Sequence, residues 1–271
     1  MELSELRKSP HLSASSIGDY MECGMLYRFS RVDRLPMEFV ADSLVFGTAI
    51  HKTLEDFYRE KLTGNKLTLK DIHRVFEKHW HETAEGRDEI QYAEGKDFKT
   101  LLMQGADLLS VWYQRLPEDA FKIIGIEDAF SFTLPGLPIP VVGAMDLIEE
   151  DDSGTIIITD FKTSNRSYSA VEIDRNLQMT IYQCAAKANG FSNREIILRF
   201  DCLIKTLKPK FEQYYTVRTE VDEARLIKKI HSVWHGISAG VFIPNDQSFR
   251  HKNCAYRNVC DEWFLQQGGD E

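Results

Sequence analysis

Residues 140–163 read PVVGAMDLIEE, then DDS, then GTIIITDFKT, and the way this stretch folds governs everything around it. Both arms are β-branched or alternating, and Asp151-Asp152-Ser153-Gly154 between them is a turn signal, so a β-hairpin is expected. Side chains alternate in face along a strand, which puts Asp160 and Lys162 on one side and leaves Phe161 on the other for a core. Antiparallel pairing about the turn sets Asp146 opposite residue 159, one step from Asp160. Two carboxylates and an ammonium therefore converge at one end of the ribbon. Adjacent carboxylates repel unless a cation lies between them, and hard oxygen ligands suit Mg²⁺ or Mn²⁺. A metal so placed lowers the pKa of a bound water and neutralises charge on a phosphoryl oxygen, with Lys162 as a point charge beside it. A lone Asp-x-Lys triplet is more often a surface salt bridge, so the neighbouring sequence has to carry weight.

Outward from the hairpin, the strand-like run KIIGIEDAFSFTL precedes it and completes a three-strand meander. A helical stretch from Val171 to Lys187 follows, then strands EIILRFDCLIKT and FEQYYTVRT split by Lys208-Pro209, then a helix from about Asp222 to Ile237. From Ser13 to about Leu116 apolar residues recur at helical spacing, as in Ile50, Leu54, Phe57 and Tyr58, and again in Leu101, Leu108 and Trp112. The tail from Phe242 reads as loop. An α/β fold is expected.

Two helical positions add chemistry. In FGTAIHKTLEDFY, His51 and Glu55 stand four apart beside the apolar face, where a histidine can complete a metal site or simply be a hydrogen-bonded boundary residue. Gln178 and Tyr182 are four apart on the helix after the lysine strand, which in isolation is a polar helix face.

Taken in order, Gly47-x-x-x-His51, Gly143-x-x-Asp146, Asp160-Phe161-Lys162 and Gln178-x-x-x-Tyr182 resemble the PD-(D/E)XK nuclease superfamily, specifically its RecB-like exonuclease branch. Ser13 to Phe29, SASSIGDYMECGMLYRF, looks like that branch's opening helix. The resemblance implies a restriction-endonuclease-like core, a central mixed sheet flanked by helices, with a helical N-terminal region and a metal-clamped C-terminal tail. It implies one nuclease domain over 1–271, with 1–120 mostly helical, 121–219 the catalytic core and 220–271 a helix and cysteine-bearing tail. By the same resemblance His51, Asp146, Asp160 and the Phe161 carbonyl ligate Mg²⁺ or Mn²⁺ and Lys162 is the catalytic lysine. Gln178 and Tyr182 support the site or contact the nucleic acid backbone. Glu127 occupies a place where some relatives carry an extra acid. The implied activity is DNA hydrolysis on single strands or from ends, in repair, recombination or a CRISPR-related role.

Five cysteines without a secretion signal argue against a disulfide framework. Cys184 and Cys202 fall in regular elements and read as buried small hydrophobes. Iron–sulfur members of the RecB-like branch carry one N-terminal cysteine and a C-terminal C-x2-C-x5-C, and here Cys23 is followed by His251-x2-Cys254-x5-Cys260. The family implies a 4Fe-4S cluster at these four residues, whereas three thiolates and one imidazole form an accepted zinc set, so 4Fe-4S and Zn²⁺ both stand open, with a degenerate empty site behind them.

The 271 residues are 43% apolar and 28% charged, which excludes collagen-like, low-complexity and wholly disordered chains. No stretch is apolar enough for a membrane span, and the charged start MELSELRKSP is unlike a signal peptide, so the cytoplasm is the expected compartment. The net charge of −9 disfavours a generic polyanion-coating protein. The charge is uneven, however: 17 acids face 5 bases over 81–160, and 9 bases face 4 acids over 161–210. The basic run Arg166, Arg175, Lys205, Lys208 and Lys210, with Tyr168, Tyr214 and Tyr215 nearby, is the expected nucleic-acid surface. The rival reading is a nuclease-fold binding or scaffold subunit that needs a helicase partner, since the chain has no P-loop of its own. A zinc-binding structural protein would leave the hairpin acids unexplained.

Overall fold

The computed structural model describes residues 2–116, 121–248 and 250–265. The expected boundary near residue 120 and the chain from 266 on lie outside the described residues. Ahead of that boundary lie helices α1 (Leu3–Leu6), α2 (Ala14–Glu22), α3 (Gly24–Tyr27), α4 (Asp42–Leu62), α5 (Leu69–Ala84) and α6 (Phe98–Tyr113), with the two-residue strands β1 (Val40–Ala41) and β2 (Ile90–Gln91) paired in parallel. Beyond it run β3 (Lys122–Phe132), β4 (Val141–Glu150), β5 (Ile156–Ser164), α7 (Ala170–Asp174), α8 (Leu177–Ala186), β6 (Ile196–Ile204), β7 (Lys210–Thr216), α9 (Glu220–Ser238) and α10 (Arg257–Leu265).

Among the described residues, β3 to β7 form a five-stranded sheet in sequence order. Only the β5–β6 pair is parallel, and a parallel pair needs a crossover, which α7 and α8 supply. The meander expected around the hairpin is present, and the mixed sheet flanked by helices is the expected α/β architecture. β5 lies in the middle and is covered on both faces, with Ile156 through Phe161 all buried. On one face Ile148, Ile156, Ile158 and Phe200 pack against Met179, Ile181 and Tyr182 of α8 and Leu226 and Ile230 of α9. On the other, Leu147, Phe161 and Leu203 meet Ile50, Leu54 and Phe57 of α4 and Trp112 of α6. Burying one such aromatic or aliphatic side chain stabilises by about 1.5–3 kcal/mol.

Three local expectations are corrected. The helix read as Val171 to Lys187 is two helices, because Asn176 takes the N-cap of α8 and accepts the Met179 N–H at 3.2 Å. The last long helix starts at Glu220, two residues early, where Thr219 and Asp222 close a capping box. The tail is not all loop: α10 forms and turns Cys260 inward with Tyr256 and Val259 against Met25 and Phe29. No helix among the described residues is long and apolar enough to cross a membrane.

Candidate metal centre and cleft

The register of three strands builds the acidic floor. Leu147 pairs with Thr159 in β4–β5, and the ladder stops there. Asp146 and Asp160 are next in line, one residue off the expected pairing, and the strands part between them. The Phe161 N–H that would have continued the ladder instead donates to Asp146 Oδ2 at 2.8 Å. On the other side, Glu127 falls between the pairs Ile126–Leu147 and Asp128–Met145 and so stands opposite Asp146. Glu127, Asp146 and Asp160 thus form a row across β3, β4 and β5. Glu127 has φ +48°, in the left-handed region a non-glycine residue rarely occupies.

His51 reaches this row from α4, where Ile50 and Leu54 are fully buried and hold the helix down. Its Nδ1 lies 3.5 Å from Asp146 Oδ2, and its ring meets Phe161 edge-on at 6.1 Å. Ligand atoms of His51, Glu127 and Asp146 all lie within 4.8 Å of one another. Asp160 is 1% exposed and turns toward α8. There Lys162 Nζ lies 2.7 Å from Asp160 Oδ2 and donates to Gln178 Oε1 at 2.9 Å, Gln178 Nε2 donates to the Tyr182 hydroxyl at 2.7 Å, and Tyr182 donates to Asp160 Oδ1 at 3.3 Å. The four side chains close a ring. Lys162 and Gln178 meet because a strand face and an i, i+4 helix face oppose each other across the parallel crossover.

Electrostatics bear on what the site can hold. Burial, and then the charge of Asp160, push the Asp146 carboxyl well above its usual range. Burial, and then the Glu55 charge, raise Glu127 to about 7. Burial lowers the His51 pKa despite Asp160. Burial also opposes the Lys162 ammonium, but Asp160 and, behind it, Asp146 together outweigh it and the pKa rises. Like charges directly opposite on neighbouring strands are destabilising. A row of carboxylates with a neutral imidazole beside them is the donor set of a hard divalent cation, so the residues present fit Mg²⁺ or Mn²⁺.

The centre opens into a cleft of about 570 Å³ lined by His51, Glu127, Asp146, Gln178 and Tyr182, and also by Arg7, Ser13, Ser15, Asp19, Asn176 and Arg250. Gly143 lines it too, and a side chain there would strike the Phe130 ring. Arg7, Asn176 and Arg250 belong to no motif, and nothing in their local sequence marks them.

The expected basic surface is not at this cleft. Arg166 pairs with Glu172 at 2.9 and 2.5 Å, Lys205 covers the Phe46 ring at 5.2 Å, and Arg175 lines a separate cavity with Asp174 and Asp222. Lys210 is exposed at the start of β7, and Lys208 lies in the turn before it. Tyr168 stacks on Phe200 at 6.2 Å and Tyr214 accepts the Tyr168 N–H at 3.2 Å, so both serve packing; Tyr215 is exposed. Strand tyrosines here are cross-strand partners.

Cys23, His251, Cys254 and Cys260 line one cavity of about 460 Å³ floored by Met25, Phe29 and Tyr256. Among the described residues they do not bring three ligand atoms within 4.8 Å as His51, Glu127 and Asp146 do. All five cysteines are free thiols. Burial pushes Cys184 to about 11 and Cys202 to about 12, as befits inert core thiols.

A crystal structure of a candidate exonuclease from Eubacterium rectale is similar to this chain at 11% identity and TM-score 0.53, covering 96% of this chain and 90% of that one. At that identity the likeness speaks for the fold alone. The crystal structure of SSO0001 covers 92% of this chain and 95% of its own at 17% identity, but its TM-score of 0.38 carries no argument. No curated protein matches the sequence. The family model described as the PD-(D/E)XK nuclease superfamily matches residues 11–261. With nearly its whole length matched on a mixed sheet of the right kind, the chain belongs to the PD-(D/E)XK nuclease superfamily.

Proposed function

We propose that the protein is a Mg²⁺- or Mn²⁺-dependent DNA phosphodiesterase of the RecB-like exonuclease branch, acting on single strands or from ends. The observation that carries this reading is the ring of Asp160, Lys162, Gln178 and Tyr182 beside the row of Glu127, Asp146 and Asp160, of which Glu127, Asp146, Gln178 and Tyr182 line an open cleft. In it His51, Asp146, Asp160 and the Phe161 carbonyl hold the cation, with Glu127 joining them. A bound divalent cation supplies an activated water and neutralises charge on the phosphoryl oxygen. Lys162 keeps its ammonium charged beside Asp160, where it steadies the negative charge that develops on the phosphate. Gln178 and Tyr182 hold Lys162 and Asp160 in position. The cleft's volume, of small-ligand size, suits a nucleotide or two and not a duplex, which supports single strands or frayed ends. The similar Eubacterium rectale fold bears an exonuclease name, which supports attack from ends.

The test uses end-labelled linear single-stranded DNA, a closed single-stranded circle and RNA of the same sequence, with Mg²⁺, Mn²⁺ or EDTA. Metal-dependent loss of the linear DNA with the circle spared is expected, and Lys162→Ala abolishes it. Full activity in that variant would reject the mechanism. Binding without cleavage until a helicase is added would favour the scaffold reading.

We read the cavity of Cys23, His251, Cys254 and Cys260 as a structural clamp for a thiophilic group, 4Fe-4S or Zn²⁺. Anaerobic purification with a visible spectrum and elemental analysis separates the two. Cys254→Ala is expected to lower both metal content and thermal stability; if neither changes, the clamp is wrong.

A further inference from the structure

The cleft is electrically two-sided. Glu127 and Asp146 form its floor, while its rim carries guanidinium groups from opposite ends of the chain beside Asp19 and Glu22. Arg7, at the end of α1, lines the cleft with its side chain exposed and has no ion pair among the described residues. Its charge reaches Glu127. Arg250 comes from the tail and lines the same cleft. Its Nη1 lies 3.7 Å from Asp19 Oδ1, and the other Asp19 oxygen is shared with Arg31 Nη2 at 3.4 Å. Asp19 is thus divided between two guanidinium groups, and separations of this length leave Arg250 free to turn to a better acceptor. A phosphodiester is such an acceptor, and a strand whose scissile phosphate lies over the acidic floor would bring its neighbouring phosphates to this rim.

The tail is held in place to do this. Asn245 donates to the Glu22 carbonyl at 2.8 Å, Ser248 donates to the Glu22 carboxylate, and the Gly24 N–H donates to Ile243 O at 2.8 Å. These contacts fix the backbone ahead of Arg250 against the end of α2.

Resting on the nuclease reading above, we propose that Arg7 and Arg250 are strand-positioning residues that grip the phosphates flanking the scissile one, with Asp19 parking Arg250 until a strand takes it over. This moves the phosphate contacts from the basic run after Lys162 to the chain's two ends.

The experiment measures binding of a fluorescein-labelled oligothymidylate in EDTA across a salt series, by anisotropy, using the full chain. Arg7→Ala and Arg250→Ala are each expected to weaken binding about ten-fold and to reduce the slope of log Kd against log salt by about 0.7, the single-strand value for one phosphate contact. Arg250→Lys keeps the slope while losing part of the affinity, because the charge remains and the fork does not. Arg166→Ala keeps the wild-type slope. Thermal melts of the variants confirm folding, which exposed side chains are not expected to disturb. Wild-type slopes in both alanine variants, a loss confined to Arg166→Ala, or a wild-type chain that binds no strand would overturn the grip. Normal binding with these slopes but no cleavage in Mn²⁺ would sink the nuclease reading and leave the grip standing.

Discussion

Gln178 Oε1 accepts the Lys162 ammonium at 2.9 Å, so a helix side chain decides where the strand lysine points. Without that acceptor Lys162 still has Asp160 but loses its direction. Gln178→Leu is expected to slow cleavage about 10–100-fold, the usual cost of losing a partner that orients a site group. Single-turnover rates at saturating metal measure it, and an unchanged rate would remove Gln178 from the machinery.

Asp146→Asn is expected to abolish cleavage and yet raise the melting temperature of the metal-free protein. The substitution relieves repulsion within the carboxylate row while the amide oxygen can still accept the Phe161 N–H. Each kcal/mol gained raises the midpoint by about 2–4 °C in a protein of this size. A lower midpoint in EDTA would show that the row is not self-repelling.

The pH dependence follows from Glu127, whose pKa rises from 4.5 to about 7 on folding. An acid with a raised folded pKa binds its proton more tightly in the native state, so the metal-free protein is most favoured below pH 4.5 by this group and loses that contribution as pH climbs to about 7. Ligands must be deprotonated to hold a metal, so the stabilisation by Mn²⁺ grows over the same window. Melting curves with EDTA and with Mn²⁺ between these limits check both signs, and Glu127→Gln should flatten the window.

Gly24→Ala is expected to dislodge the tail. A side chain at Gly24 would run into the Phe242 and Ile243 backbone, and neither can yield without breaking the Gly24 N–H bond to Ile243 O. Faster alkylation of Cys254 and Cys260 together with weaker strand binding is the expected pair of readouts, since the tail carries both the thiols and Arg250.

Arg199 is 5% exposed and bonds Glu149 at 2.7 Å across the intervening strand, with Asp201 at 3.1 Å. Arg199→Met leaves two buried carboxylates unpaired and is expected to cost about 3–5 kcal/mol in urea unfolding. A loss under 1 kcal/mol, within reach of an exposed pair, would mean that water reaches the network.

Much of the architecture is legible in the residues themselves. The isoleucine run of β5 announces a strand covered on both faces, and the period of two assigns Asp160 and Lys162 to one side. Helix breaks were harder to read, because Asn176 sits inside an apolar pattern and only its capping bond to Met179 shows that it ends one helix and begins another. The basic run after Lys162 misled for a related reason. Sequence reports charge without its partner, and Arg166 had already found Glu172.

By itself, the sequence determined the hairpin, the meander and the order in which carboxylates, lysine and glutamine follow one another, since these depend on neighbours a few residues apart and on the periods of strand and helix. Tertiary structure alone decided that Glu127 stands opposite Asp146 and that Arg7 and Arg250 share one cleft. Those approaches depend on strand register, on a residue with positive φ and on the packing of distant elements, and no local pattern encodes them.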